Sequence, residues 1–162
     1  MEDLRYASRG LSKYLRQTDA WFLVIGATEY VRELARDVWE KCMVTSWQKT
    51  PIALYRRMTM NVGVAPLKPT RFAMAKSPLK VLEYQALGIP AVASPTVYGD
   101  WIEDGVNGLI AKRPEDFPRL LRDLQFDTEL RAKLIEGGHE TARKHFIQDR
   151  WVDWHAALIS VM

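Results

Sequence analysis

The chain has 162 residues, 48% of them hydrophobic and 27% charged, which suits one globular domain with a core large enough to fold unaided. Lys and Arg number 23 against 20 Asp and Glu, a net charge of only +3; the cations are interleaved with acids, so the balance favours anionic ligands weakly and falls short of a nucleic-acid footprint. The lone cysteine, Cys42, excludes an internal disulfide and a two-cysteine metal site.

The opening "MEDLRYASRG" carries two acids and no long apolar run, so it reads as neither secretory signal nor membrane span, and a cytoplasmic location is expected. Leu4, Ala7, Leu11, Tyr14 and Leu15 recur at helical spacing. "WFLVIGA" (21–27) is a continuous apolar run, as a strand covered on both faces shows. Thr28 is expected to cap a second helix through about Lys41, with Val31, Leu34, Ala35 and Val38 inward, and "CMVTSW" (42–47) to be the next strand. A short helix over 51–58 leads to "MNVGVAPL" (60–67), a third strand ending in a proline-containing loop.

A fourth helix and strand lie in "KSPLKVLEYQALGIPAVAS" (76–94), and "NGLIAK" (107–112) is a fifth strand after an "EDG" turn. Helical stripes then fill 114–124, 128–145 and 148–160, the last with Trp151 and Trp154. Cys42 and the methionines sit in apolar contexts and are assigned to the core. Strands alternating with helices predict a single α/β domain over 1–162, a doubly wound, mostly parallel, Rossmann-like sheet with a helical carboxyl-terminal extension. Ligands of such sheets sit outside the carboxyl ends of the strands.

Within the fourth unit, Ser77 and Pro78 form a cap-and-first-turn pair. Leu79, Leu82 and Ala86 are expected to face the sheet, while Lys76, Lys80, Glu83 and Leu87 share another side. Unpaired amides, a positive dipole end and two lysines at the ligand edge outline an anion site. Glu83, two turns in, would repel that anion and instead suits a neutral, hydroxyl-rich group beside it, as a ribose next to a diphosphate would be. The spacing of Lys80 and Glu83 serves a surface ion pair equally well.

The stretch "KSPLKVLEYQALGIPAVASPTVYGDWIEDGVNGLIAK" resembles the donor-binding signature of retaining GT-B glycosyltransferases, the large group 1 (family 4-like) glycosyl transferases. The resemblance covers most of the chain as the carboxyl-terminal, donor-binding half of a two-domain fold. It implies transfer of a sugar from a nucleoside diphosphate donor, with retention, the diphosphate being held by amides and lysines in place of a metal. No resident cofactor or metal is expected, because the sugar nucleotide is a substrate. Glu83 corresponds to the second glutamate of the family's pair, which hydrogen-bonds the ribose. The diphosphate-binding helix start maps onto Lys76, Ser77 and the turn before Leu79, with Lys80 an added contact. The base is placed near Gly26 and Trp47 by analogy of location.

The sequence departs from the family pattern in three places. Ala75 stands where the first glutamate of the pair would fall, eight positions before Glu83. Arg9 and Lys13 do not match the family's basic donor-binding pair and read as solvated helix residues, as do Arg56 and Arg57. The acceptor-binding half is outside the resemblance, and His139, His145 and His155 lie in carboxyl-terminal helical stripes, so no catalytic residue is assigned. The expected partners are the nucleotide-sugar donor and a separate acceptor-binding domain or a second copy of the chain, with at most peripheral membrane association and no nucleic acid. Trp151 and Trp154 read as packing residues, and Tyr98, Asp100, Glu103 and Asp104 form an acidic loop within reach of a sugar. The rival readings are a non-catalytic sugar-nucleotide-binding or scaffold module and a sugar-nucleotide epimerase fragment.

Overall fold

The computed structural model describes residues 2–26 and 28–145, without the side chains of Thr28 and Leu34. Helix α1 (Glu2–Gln17) buries Ala7, Leu11, Tyr14 and Leu15, the residues at helical spacing, and carries acids in its first turn and Arg16 in its last, as the helix dipole favours. There follow β1 (Phe22–Ile25), α2 (Thr28–Leu34), β2 (Cys42–Thr45), α3 (Pro51–Tyr55), β3 (Gly63–Ala65), α4 (Arg71–Met74) and α5 (Leu79–Ala86). The chain continues with β4 (Ala91–Ala93), β5 (Leu109–Ile110), α6 (Phe117–Phe126) and α7 (Thr128–Arg143).

Every strand pair is parallel, as a doubly wound α/β fold requires. The strands form two sheets, β1 with β2 and β3–β4–β5 in that order, where the periodicity predicts one. Successive residues of the three-stranded sheet point to opposite faces, and each face has its own core. Val92 and Leu109 join Leu11 and Leu15 of α1 and Leu121 and Leu124 of α6. Ala91 and Ala93 join Ala65, Val81, Tyr84 and Ile102. Val24 of β1 belongs to the first of these cores, so the two sheets share it.

The first turn of α1 is bonded just beyond β3, where the Lys68 amide and the Lys76 ammonium both donate to Asp3, and its last turn leads to the start of β1. The segments that follow β2 and β3 also meet, the Tyr55 hydroxyl of α3 donating to Glu83 of α5. Neither β1 nor β3 pairs with a strand on its second side among the described residues. Phe22, Val62 and Val64 are accordingly only partly buried, whereas all of β4 is buried.

Several local expectations are corrected. Helix α2 ends at Leu34 rather than Lys41, and Thr28 is its first residue rather than its cap. A 3-10 segment follows in which Val38 leaves helical geometry (φ −137°, ψ 19°) and is buried, while Asp37 pairs with Arg16 and the Arg32 guanidinium lies 5.8 Å from the Trp39 ring centre. Helix α4 occupies the expected loop, its amino end held by Thr70, which accepts from the Ala73 amide at 3.1 Å. Met43 and Met74 are exposed rather than core.

Helix α5 departs most. It begins at Leu79 behind Pro78, and the expected serine cap is not formed. Its buried residues are Val81, Tyr84 and Gln85, while Leu79 is 61% exposed. Two contacts select that face over the leucines. The Tyr84 ring lies over Gly63, which has no side chain to displace it, and Gln85 Nε2 donates to the Asn107 carbonyl at 3.1 Å. The helix expected over 148–160, with Trp151, Trp154 and His155, lies outside the described residues. Among the described residues no helix is long and apolar enough to cross a membrane.

Candidate functional site

The site is built on the carboxyl ends of β3 and β4. Ser94, fully buried, donates its amide to the Ala65 carbonyl at 3.1 Å, and its hydroxyl accepts the Leu67 amide at 3.0 Å. One serine thus clamps the end of β4 to the chain leaving β3 and sets where α4 and α5 begin. The Val81 and Leu82 amides both donate to the Pro78 carbonyl. Among the described residues the amides of Ser77, Leu79 and Lys80 have no hydrogen-bond partner, and Ser77 and Lys80 are exposed. Three free donors at the positive end of a helix dipole, with an exposed ammonium beside them, can hold an anion.

Lys76 is already engaged. Its ammonium donates to Asp3 at 2.6 Å and lies 5.4 Å from the Phe72 ring centre, a cation–π contact. Burial raises the Asp3 pKa, but the hydrogen bonds from Lys76 and Lys68 and the Lys76 charge outweigh it, leaving the carboxyl below its ordinary 3.8. Lys76 can reach a bound diphosphate only by leaving Asp3. Ala75, exposed at the end of α4, offers no side chain in place of the family's first glutamate.

Glu83 is half-buried and forms no ion pair with Lys80; its Oε1 accepts a hydrogen bond from the Tyr55 hydroxyl at 3.1 Å. Helix α3 carries Tyr55, and its amino end is set by Thr50, which accepts from the Ala53 amide, and by Pro51. Burial first, then the hydrogen bond and charge of Glu83, raise the Tyr55 pKa, so the phenol keeps its proton and remains a donor. Nothing in the sequence pointed to Tyr55. It is 28 residues from Glu83, and the hydrogen bond between α3 and α5 is a purely tertiary contact.

At the ends of β1 and β2, Gly26 and Trp47 meet. Gly26 has φ +84°, and a Cβ there would lie 2.9 Å from Trp47 Cε3, so a glycine both suits the backbone and lets the indole lie against it. Trp47 is 78% exposed, which leaves most of its surface open to a planar ligand. The acidic loop after β4 divides differently from the expectation. Tyr98 is buried, and burial together with the Asp3 charge pushes its phenol to about 12. Asp104 Oδ1 accepts the Ile110 amide at 2.9 Å. Asn107 accepts the Glu103 amide and donates to the Trp101 carbonyl and Thr141, so the "DGVNG" turn is a fastening between β5 and α7. Arg9, Lys13, Arg56 and Arg57 are exposed. Two open grooves lie elsewhere, beside α6 and α7, lined by Arg122, Asp127 and Glu129 and by Glu136, His139 and Arg143. The first takes its polar groups from the end of α6 and the start of α7 and the second from α7 alone.

Comparison with solved structures defines the class of fold. The chain matches the carboxyl-terminal domain of a group 1 family glycosyl transferase, LpcC of Francisella tularensis, with a TM-score of 0.69 at 18% identity, covering 88% of this chain and 79% of that one. It matches HepE of Anabaena, solved in complex with UDP and glucose, with a TM-score of 0.75 at 16% identity, covering 97% of this chain and 45% of that one. These are GT-B glycosyltransferase folds, and this chain has the fold of the carboxyl-terminal half. A family model described as glycosyl transferases group 1 matches residues 2–125, and the chain belongs to that family. The lipopolysaccharide core biosynthesis glycosyltransferase LpsE of Rhizobium meliloti is 32% identical over 83 residues, 49% of this chain and 24% of LpsE. The chain therefore spans less than half the length of that relative.

Proposed function

We propose that this chain is the donor-binding half of a retaining glycosyltransferase that takes a nucleoside diphosphate sugar. The observation that carries the reading is a single helix, α5, with three unpartnered amides and Lys80 at its amino end and, one turn on, a carboxylate with an oxygen still open. The amides and Lys80 meet the diphosphate and stabilise the charge that builds on it as the sugar leaves. Glu83 accepts the ribose hydroxyls, and Gly26 and Trp47 offer the base a flat apolar surface. Ser77 contributes its amide, and Lys76 joins by exchanging its contact with Asp3 for the diphosphate. HepE was solved in complex with UDP and glucose, which supports a nucleotide in this fold. The acceptor is met by a second half, in a partner chain or another part of the polypeptide, and the protein works in the cytoplasm.

Ala75 favours a second reading, a sugar-nucleotide-binding module without turnover, because the residue expected to address the donor sugar has no polar group. Formation of a glycosylated product separates the two. The first reading is tested by calorimetric titration of the chain with UDP, GDP and ADP, repeated with Glu83→Ala. A charged hydrogen bond contributes about 1.5–3 kcal/mol, so one nucleotide should bind saturably and weaken at least tenfold in the variant. Absence of binding to all three rejects the donor site.

A further inference from the structure

Glu83 Oε1 accepts from the Tyr55 hydroxyl at 3.1 Å, while no partner is formed by Oε2 among the described residues. A carboxylate has about four lone-pair sites, so this bond leaves most of its accepting capacity open while fixing its direction. A half-buried glutamate on a helix surface otherwise samples many rotamers, and a ligand that needs one of them must order it on binding. Lys80, the nearest cation along the helix, does not hold the carboxylate. Helix α3 has no buried residue of its own, so the Tyr55 hydroxyl has no evident role in the core.

We propose that Tyr55 is a positioning residue for the ribose of the donor nucleotide: through its hydroxyl it holds Glu83 in the one orientation that meets the ribose hydroxyls. This rests on the donor-binding reading above. Discrimination for ribose at this site therefore belongs to the Tyr55–Glu83 pair, one member on α3 and one on α5. Burial, then the hydrogen bond and charge of Glu83, hold the Tyr55 phenol above its ordinary pKa, so the donor is present at neutral pH. Tyr55 touches neither the reacting bond nor the diphosphate, and its effect passes entirely through Glu83.

The test is a calorimetric titration with UDP, GDP and ADP, and with the 2′-deoxy form of whichever binds, into wild type, Tyr55→Phe, Glu83→Ala and the double variant. Phenylalanine keeps the ring and removes only the hydroxyl. Tyr55→Phe should weaken the ribonucleotide by about 3- to 10-fold, narrow the preference for it over the deoxy form, and add nothing in the Glu83→Ala background. Equal weakening of both nucleotides, or a full effect in the absence of Glu83, would show a structural role and overturn the assignment. Binding that responds to Glu83→Ala and ignores Tyr55→Phe overturns it while leaving the donor site standing. Failure of wild type to bind any of the three nucleotides overturns both.

Discussion

Replacing Gly63 by alanine probes the contact that orients α5. A Cβ at this position would lie 2.4, 2.6 and 2.7 Å from Cδ2, Cε2 and Cγ of Tyr84, where carbon atoms at rest are about 3.5–4.0 Å apart. The ring must retreat by about 1 Å, and it is 7% exposed, with its hydroxyl 3.4 Å from the Val64 carbonyl. Overpacking of this kind costs about 1–3 kcal/mol. Gly63 has no positive φ, so alanine fits its backbone, and the stiffer unfolded chain returns about 0.4–1 kcal/mol. The net loss should lie between about 0 and 2.6 kcal/mol, or a Tm lower by up to roughly 10 °C for a chain of this size. Urea unfolding followed by circular dichroism measures it, with an unchanged m-value showing that the native and denatured ensembles are comparable. Tyr84→Leu in the same chain removes the clash, so the double variant should be more stable than the sum of the single effects predicts. Two strictly additive effects would refute the packing argument.

Asp3→Asn should lower stability at neutral pH by about 0.2–1 kcal/mol, the range for partly exposed ion pairs. Because the folded pKa of Asp3 lies below its ordinary value, its contribution is present above that value and lost as pH falls through the folded pKa. Urea midpoints of variant and wild type should therefore differ at pH 7 and converge as the pH falls through the lowered folded pKa of Asp3; a gap that persists in acid contradicts the assignment to charge. Hydrogen exchange reports on the split sheet. Amides of β4, paired on both sides and wholly buried, should exchange more slowly than those of β1, which among the described residues has a strand on one side only. Equal protection in β1 and β4 would contradict the two-sheet arrangement.

Much of the architecture is legible because burial leaves a period in the sequence. Leu4 to Leu15 predict α1, and the apolar runs locate all five strands within a few residues of their ends. Those ends are less legible, because Trp21 and Trp47 prolong the apolar runs yet stand exposed beyond the strands. The capping threonine of α4 was present in the sequence at Thr70, hidden by the prolines around it. Of the candidate site, Lys76, Ser77, Lys80 and Glu83 are readable together because one helix carries them at short spacing. Asp3 and Tyr55, which hold Lys76 and Glu83, come from 73 and 28 residues away, and no local pattern marks such pairs.

The sequence by itself determined the alternation of helix and strand, the place of the helix start at the ligand edge, and, through an extended motif, the family. Those properties follow from local periodicity and from residues close together along one helix. Which face of α5 is buried was decided by the tertiary structure. Hydrophobicity favoured Leu79 and Leu82, but the space above Gly63 admits the Tyr84 ring, leaving Leu79 exposed and Leu82 half-buried. The same rotation presents Glu83 to Tyr55, so the direction of the candidate ribose contact depends on a glycine in the neighbouring strand.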